Sequence, residues 1–467
     1  MGNIELSVTG NPNYCAQMVE ITNTHELENC DNIKGTLING INHVIISRDT
    51  QIGNLGIYFP VECAILHDFL SVNNLYSSAE MNTDKTKTGF FGKNGRVRAV
   101  KLRGHVSDGF WIPISSLYYA FARDWIEDSF INGISFDTME SIQPKTKVVL
   151  CWKYFVPEKI KSSTIVDIKK EQGFDKLIDG QFRFHFETEA LEKHIEEILP
   201  NDWLSISLKV HGISAIIANV LTRRQLSLKE RIAKKFGVSV VETQYEHIFS
   251  SRKVIKNRYR NTKLDNDIAD IWVLAGRELM PICTDGMTIY YEIVGFLPNG
   301  GFVQKKYDYG CKQGEHKIYV YRITFTNAAG RVYEWGMRQI SDYINFMKGS
   351  GFIGDNVYCV LIFDEGKAEY LYKNLLHANN RPVGPFDSID FLQNLKEMYL
   401  DKESIFCQNK VPEEGIVVRK ESLPNIVSYK LKSFAFKERE TKSLDNGEIN
   451  IEDTGEIEES PPQKKSS

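Results

Sequence analysis

Apolar residues recur at two spacings along this chain, and the change of spacing divides it. Up to about residue 165 they alternate with polar ones in short runs, at Gln17–Ile21, His43–Ile46, Gly56–Phe59, Val97–Leu102 and Val148–Tyr154, separated by Gly, Asn and Asp. Alternation with period two marks half-buried strands, and many short strands between turns predict a small barrel of the OB type. One helical stretch, Ile114–Asp128, interrupts it. Further on, strand-like and helix-like patterns mix. Phe182, Phe184 and Phe186 alternate with Arg183 and His185, which predicts a strand with one aromatic face. A helix is expected over Glu189–Leu199 with Thr188 as its N-cap. The run Leu204–His211 alternates again, with Leu204, Ile206 and Leu208 on one face and Ser205, Ser207, Lys209 and His211 on the other. The fold class is therefore α+β: an OB-like barrel over 1–165, a mixed α/β domain with antiparallel sheets over 175–437, and a tail over 438–467. A polar, lysine-rich stretch at 157–181 is the connection. The tail is acidic and nearly devoid of apolar residues, so it is expected to be disordered.

Length and composition narrow the class. The 467 residues suffice for two or three cores, and 42% hydrophobic with 11% aromatic content is ordinary for a soluble protein. No apolar run approaches the roughly 18 residues that would span a bilayer. The first residues lack the basic and apolar regions of a secretory signal. The eight cysteines are scattered without a C-x-x-C pair, which predicts a reduced, cytoplasmic protein without a structural zinc. The Gly-Ser-Gly-Phe-Ile-Gly run at 349–354 spells a dinucleotide fingerprint. It follows a helix-like stretch (Ile340–Met347) and precedes a strand-like one (Val357–Phe363), the reverse of the order that the fingerprint needs, and is read as a turn.

Charged residues on the remaining strands supply the chemistry. Lys209 shares the polar face of its strand with His211. An isolated strand-end lysine is ordinarily a solvated charge. As a nucleophile it must shed a proton whose reference pKa is about 10.4, which costs roughly 4–5 kcal/mol of barrier at neutral pH unless its surroundings disfavour the ammonium. Lys430 and Lys432 share one face of a late strand and suit a polyphosphate; as cations near Lys209 they would also depress its pKa. Glu292 lies in the apolar strand Met287–Phe296, where a carboxylate needs either a salt bridge or a metal. Glu414 precedes Gly415 and a Val-Val strand, with Glu413 beside it as an alternative. Together, Glu292 and Glu414 would hold a hydrated Mg²⁺, or Mn²⁺, against a phosphate. Arg252 follows Ser250 and Ser251. Tyr321 either packs in the core or stacks on a base. One lysine, a distant lysine pair, an arginine and two strand-borne carboxylates, in this order, are the parts for a lysine–nucleotide phosphoramidate. Arg96, Arg98, Lys101 and Arg103 form a basic run that would contact RNA, and Arg223–Lys235 is a second basic segment.

These residues resemble a known series. Lys209-Val-His211-Gly212, Ser251-Arg252, Glu292 in Y-E-I-V-G, Tyr321 in Y-V-Y-R-I, Glu414-Gly415-Ile-Val-Val-Arg419 and Lys430-x-Lys432 are similar to the nucleotidyltransferase motifs of ATP-dependent polynucleotide ligases. K-x-H-G is similar to RNA ligases, where DNA ligases and capping enzymes usually show K-x-D-G. The front barrel, with Tyr58-Phe-Pro-Val-Glu62, resembles the RNA ligase branch whose OB module precedes its catalytic (ATP-grasp-like) domain. The likeness spans about 30–435. It implies that Lys209 attacks the ATP α-phosphate, that AMP passes to an RNA 5′-phosphate, and that an RNA 3′-hydroxyl displaces it. Arg252 would then touch the ribose or end phosphate, Glu292 the ribose or metal, Glu414 the metal, and Lys430 and Lys432 the α-phosphate. His211, Gly212, Ser214 and Tyr321 would line the nucleotide site. Ile213 stands where these ligases often carry Ser or Thr, which leaves that polar contact to Ser214. The expected product is a monomeric enzyme of RNA repair, acting on RNA ends or a nicked duplex and with no membrane partner. A DNA ligase, a GTP-using guanylyltransferase and a non-catalytic nucleic-acid-binding protein are the alternatives.

Overall fold

The computed structural model describes residues 4–142, 144–153, 176–185, 188–256, 270–421 and 426–445. The N-terminal part is mostly strand and turn, with short helices at His67–Val72 and Arg123–Asp128, around an apolar core that contains Met18, Ile57, Phe59, Phe69 and Phe136. Its main sheet pairs Ser135–Phe136, Ala16–Glu20, Leu55–Phe59 and Phe110–Pro113. The expected runs fall on or within a residue or two of observed strands, including Asn42–Ser47 and Ala99–Leu102. The expected barrel does not close. Among the described residues the strands of this part form five separate sheets. Side chains do part of the joining: Ser107 Oγ accepts the Ile45 N–H at 3.1 Å, and Asp137 accepts the N–H groups of Thr9 and Gly10 at 2.9 and 2.7 Å.

The larger part carries two antiparallel-rich sheets. One orders Glu189–Ala190, Val427–Lys432, Gly415–Lys420, Trp203–Lys209 and Ile362–Lys367. The other orders Thr243–Ser251, Ile213–Arg223, Met287–Gly295, His316–Thr326 and Val332–Glu334, with Val357–Cys359 added parallel to His316–Thr326. Helices Ala368–Ala378 and Ser388–Tyr399 cover the first sheet through Leu371, Leu375, Phe391 and Leu395. Helices Ile271–Leu279 and Met337–Gly349 cover the second through Trp272, Leu279, Ile340 and Ile344. Each sheet thus has an apolar face under helices and a polar strand end facing the other sheet. The two sheets are linked through the His211–Gly212 turn, which joins Trp203–Lys209 to Ile213–Arg223.

Three local expectations differ from the structure. Residues 182–185 form no strand. Phe182 instead packs, half-buried, on Ala218, Val220 and Ile248, and its ring meets Phe184 edge-on at 5.1 Å, while Phe184 itself is exposed and Phe186 lies outside the described residues. The helix expected over Glu189–Leu199 is a short strand, one turn of α-helix (Leu191–His194) and a 3₁₀ turn (Ile195–Glu197). Lastly, a helix runs over Phe434–Asp445 and so continues past residue 437. Phe436 anchors it in the core, and Lys437, Glu438, Glu440, Lys442 and Asp445 are ion-paired. The connection at 157–175 and the tail from 446 lie outside the described residues.

Candidate active site

Strand register brings the distant lysines together. Lys209 pairs with Gly415, and Gly415 pairs with Lys432, so the three residues stand in one row across three strands. Only glycine fits the middle. Its φ is +146°, and a Cβ would run into the Leu431 carbonyl and lie 2.9 Å from the Lys432 Cα. The carboxylate next to it, Glu414, is 5% exposed and receives both ends of the K-x-H-G motif. Lys209 Nζ lies 2.7 Å from Glu414 Oε1, and His211 Nδ1 lies 3.3 Å from Oε2. Lys432 Nζ is 3.9 Å from the same Oε1. Burial opposes ionisation of Glu414, but the charge of Lys209, the hydrogen bond from His211 and the charge of Lys432 outweigh it. They hold the carboxyl well below the usual range. Glu413 turns away toward Ser404, and burial pushes its carboxyl up.

The His211 ring is fixed on both sides, with Tyr307 edge-on at 4.6 Å and Phe436 at 4.8 Å. Its backbone N–H donates to Tyr309 Oη at 2.8 Å, and Gln304 Nε2 donates to the Gly212 carbonyl at 2.8 Å. Gly212 has no room for a side chain: a Cβ would collide with the Ile293 carbonyl and lie 3.1 Å from Glu292 Oε2. That places the Glu292 carboxylate beside the turn. In the second sheet Ser214 pairs with Glu292, and Ala215 pairs with Ser251, so Arg252, Ser214 and Glu292 gather at one edge. Tyr321 falls where the register slips, since Tyr290 pairs with Arg322 and Tyr291 with Val320. A bulge re-aims a side chain, and the Tyr321 hydroxyl sits 3.1 Å from Ser214 Oγ. Among the described residues no group of three or more His, Cys, Asp or Glu side chains is placed to hold a metal ion; Glu414 and Glu292 are the carboxylates nearest the His211–Gly212 turn.

Lys430 and Lys432 point toward the N-terminal part, into a cleft also lined by Tyr14, Glu62, Lys193 and Lys437. Lys430 Nζ lies 5.9 Å from the centre of the Tyr14 ring. Lys432 is held by Glu62 at 2.8 Å and by Glu440 at 3.2 Å. The nearest charged partner of Lys209 is thus a carboxylate, where the sequence suggested cations. The Arg96–Arg103 run is dispersed. Arg96 is 1% exposed and pairs with Asp445 at 3.1 Å, so it cannot present a surface to RNA. Arg98 reaches the same carboxylate at 3.6 Å. Lys101 is exposed on the strand, while Arg103 lies in the turn after it with φ 49°.

An OB-fold domain family model matches residues 15–114. No curated protein matches the chain. Among solved structures, an RNA ligase of Naegleria gruberi is similar over nearly its full length. Its variant form with ATP and Mn gives a TM-score of 0.54 at 15% identity, covering 92% of this chain and 99% of that one. A variant form with AMP and Mn gives 0.52 at 14% identity, covering 91% and 98%. The form with PPi gives 0.51 at 16% identity, covering 92% and 99%. The fold is that of these RNA ligases. The N-terminal part is an OB-fold domain set ahead of the sheets that carry Lys209.

Sequence reasoning did not single out Gln304, Tyr307, Tyr309, Phe436 or Glu440, and met Glu62 only within the Tyr58–Glu62 motif, with no role at the site. Tyr307 and Tyr309 sit in the Tyr-Asp-Tyr run of the 296–315 connection, and aromatics flanking an acid in a long loop were the available signal. Glu62 and Glu440 carried none, because their meeting depends on how the two domains pack.

Proposed function

We propose that the protein is an ATP-dependent RNA ligase that joins a 3′-hydroxyl to a 5′-phosphate through a lysyl-AMP on Lys209. The convergence of Lys209, His211 and Lys432 on Glu414 carries this reading, because residues more than two hundred positions apart meet at one carboxylate. The Naegleria ligase with ATP, AMP and PPi supports it, since ATP and PPi are the substrate and leaving group of lysine adenylylation and AMP is the group released on joining.

Lys209 Nζ would attack the α-phosphorus of ATP, the α–β bridging bond would break, and pyrophosphate would leave with its electron pair. Lys209 must first give up its ammonium proton and its contact with Glu414. A Mg²⁺ or Mn²⁺ held by Glu414 and Glu292 would supply positive charge to the α-phosphate. Lys432 and Lys430 would balance the remaining phosphate charge, Ser214 and Arg252 would meet the nucleotide from the second sheet, and Tyr321 would pack against the base. AMP then moves to an RNA 5′-phosphate, and attack by the 3′-hydroxyl releases it. RNA repair or nick sealing by a monomer in the reducing cytoplasm completes the proposal; all eight cysteines are free, and no described helix is long and apolar enough to cross a membrane.

The test is incubation with α-labelled ATP and Mg²⁺. An acid-stable labelled adduct is expected for the wild type and none for Lys209→Ala. Absence of label on the wild type defeats the enzyme reading and leaves a non-catalytic nucleic-acid-binding protein. Label from GTP in place of ATP would indicate a guanylyltransferase, and sealing of DNA but not RNA 3′-hydroxyl nicks a DNA ligase.

A further inference from the structure

The segment from Arg223 to Tyr245 stands apart from the active site. The Ile213–Arg223 strand leads away from the His211–Gly212 turn, and ten residue steps at about 3.3 Å each put Arg223 roughly 30 Å from it. There the chain forms helix Leu228–Lys235 before returning along Thr243–Ser251, the edge strand of its sheet.

This helix is specified at both ends. Ser227 Oγ accepts the Glu230 N–H at 3.4 Å while Glu230 accepts the Ser227 N–H at 2.7 Å, a reciprocal cap. At the other end Gly237 has φ 82°, and the Val238 N–H closes on the Ala233 carbonyl at 3.0 Å. Arg224 fastens the base of the arm through Glu230 at 2.6 Å and the Val241 carbonyl at 2.7 Å. Yet no residue of the helix is buried. Leu228, Ile232 and Phe236 recur every fourth position and are 71%, 48% and 82% exposed. A well-capped helix with an uncovered apolar stripe has a partner outside its own chain segment.

Charge indicates which partner. Residues 223–242 carry six cations and two carboxylates. Arg224 pairs with Glu230 and Lys234 with Glu242. Among the described residues Arg223, Lys229, Arg231 and Lys235 form no ion pair, which leaves four positive charges uncompensated. Positive charge beside exposed aromatic rings, here Phe236 and Tyr245, suits a polyanion whose bases offer faces for stacking. The withdrawal of Arg96 into the interface also removes part of the other basic run from consideration. Resting on the ligase reading above, we infer that the Arg223–Tyr245 arm is an RNA-binding surface that grips the substrate away from the joining point.

The test compares wild type with Lys229→Glu/Lys235→Glu and with Phe236→Ser. Adduct formation from ATP alone should be unchanged in both, which also shows that they fold. The double charge reversal should raise the KM for a nicked RNA duplex about tenfold or more and reduce the slope of log KM against log salt by roughly two. Phe236→Ser should weaken RNA binding with the salt slope unchanged. Wild-type KM and slope in the charge reversal would overturn the assignment while leaving the ligase reading intact. So would a change confined to self-association in sedimentation, which would make the stripe a contact between copies. If the wild type takes up no label, the ligase reading fails instead. Anisotropy of labelled RNA then still decides the arm, weaker binding by the charge reversal supporting it and equal binding overturning it.

Discussion

Glu62 of the N-terminal domain lies 2.8 Å from Lys432 on the last strand of the catalytic sheet. Glu62 has φ 72°, a backbone conformation that a non-glycine residue rarely adopts, in the turn after Pro60. Glu440 from the C-terminal helix completes the group at 3.2 Å. Three segments of the chain therefore place carboxylates on one ammonium, which is held well above the ordinary lysine value: burial opposes the charge, and Glu440, Glu62 and Glu414 outweigh it.

That arrangement sets a pH dependence. Burial and the adjacent Glu62 push the Glu440 carboxyl up to about 8, against the ordinary 4.5, despite the opposing charge of Lys432. A carboxyl raised in the folded state keeps its proton where the unfolded chain has lost it. Its favourable contribution is complete below 4.5 and disappears as pH rises through about 8. Thermal unfolding followed from pH 5 to 9 should show Tm falling across this window in the wild type, and a flatter profile in Glu440→Gln.

Glu414 has the opposite sign. Its carboxyl is depressed, so its contribution is present above the ordinary 4.5 and is lost as pH falls below it. Glu414→Gln should therefore lose less stability on acidification than the wild type does. The same substitution should slow adduct formation on the order of a hundredfold or more. Unfolding curves at pH 3 to 6, with labelling rates at neutral pH, check both.

Gly415→Ala should disrupt the row that aligns Lys209 with Lys432. The added methyl meets the Leu431 carbonyl in a conformation that L-residues avoid, and overpacking of this kind costs roughly 1–3 kcal/mol. Chemical denaturation should detect the loss, and labelling with ATP should drop further than the loss of folded protein explains.

Arg96→Ala separates structure from RNA contact. Asp445 is partly exposed and keeps Arg98 at 3.6 Å, so removing Arg96 leaves no uncompensated buried charge and costs mainly its buried packing and hydrogen bond. Arg96 is buried against Asp445 and the Thr441 carbonyl, so Tm should fall clearly. The salt slope of RNA binding should stay at the wild-type value.

The strands that carry Lys209, Glu292 and Lys432 were legible because alternation separates core from polar faces whatever the tertiary context. Leu204, Ile206, Tyr429 and Leu431 are all buried, as their parity requires. The burial of Arg96 within the basic run was not legible, because its partner Asp445 is distant in sequence. The observed strand is only Ala99–Leu102, and the Arg103–Gly104 turn leads into His105–Asp108. The helix Phe434–Asp445 was not legible, because it is held by contacts between distant segments. Lys437 meets Asp108 at 2.6 Å and Glu440 meets Lys432, contacts that no local pattern encodes.

The helix Phe434–Asp445 has a consequence for how the molecule can be cut and rejoined. It belongs to the catalytic half by sequence, yet Lys437 grips Asp108 and Asp445 grips Arg96 in the OB-fold half. The halves are therefore sewn together by side chains at the far end of the polypeptide, independently of the peptide linkage between them. Two fragments divided after Lys153 should find each other in solution, and deleting the last dozen described residues should weaken that association to what Glu62–Lys432 and Lys193–Pro12 sustain.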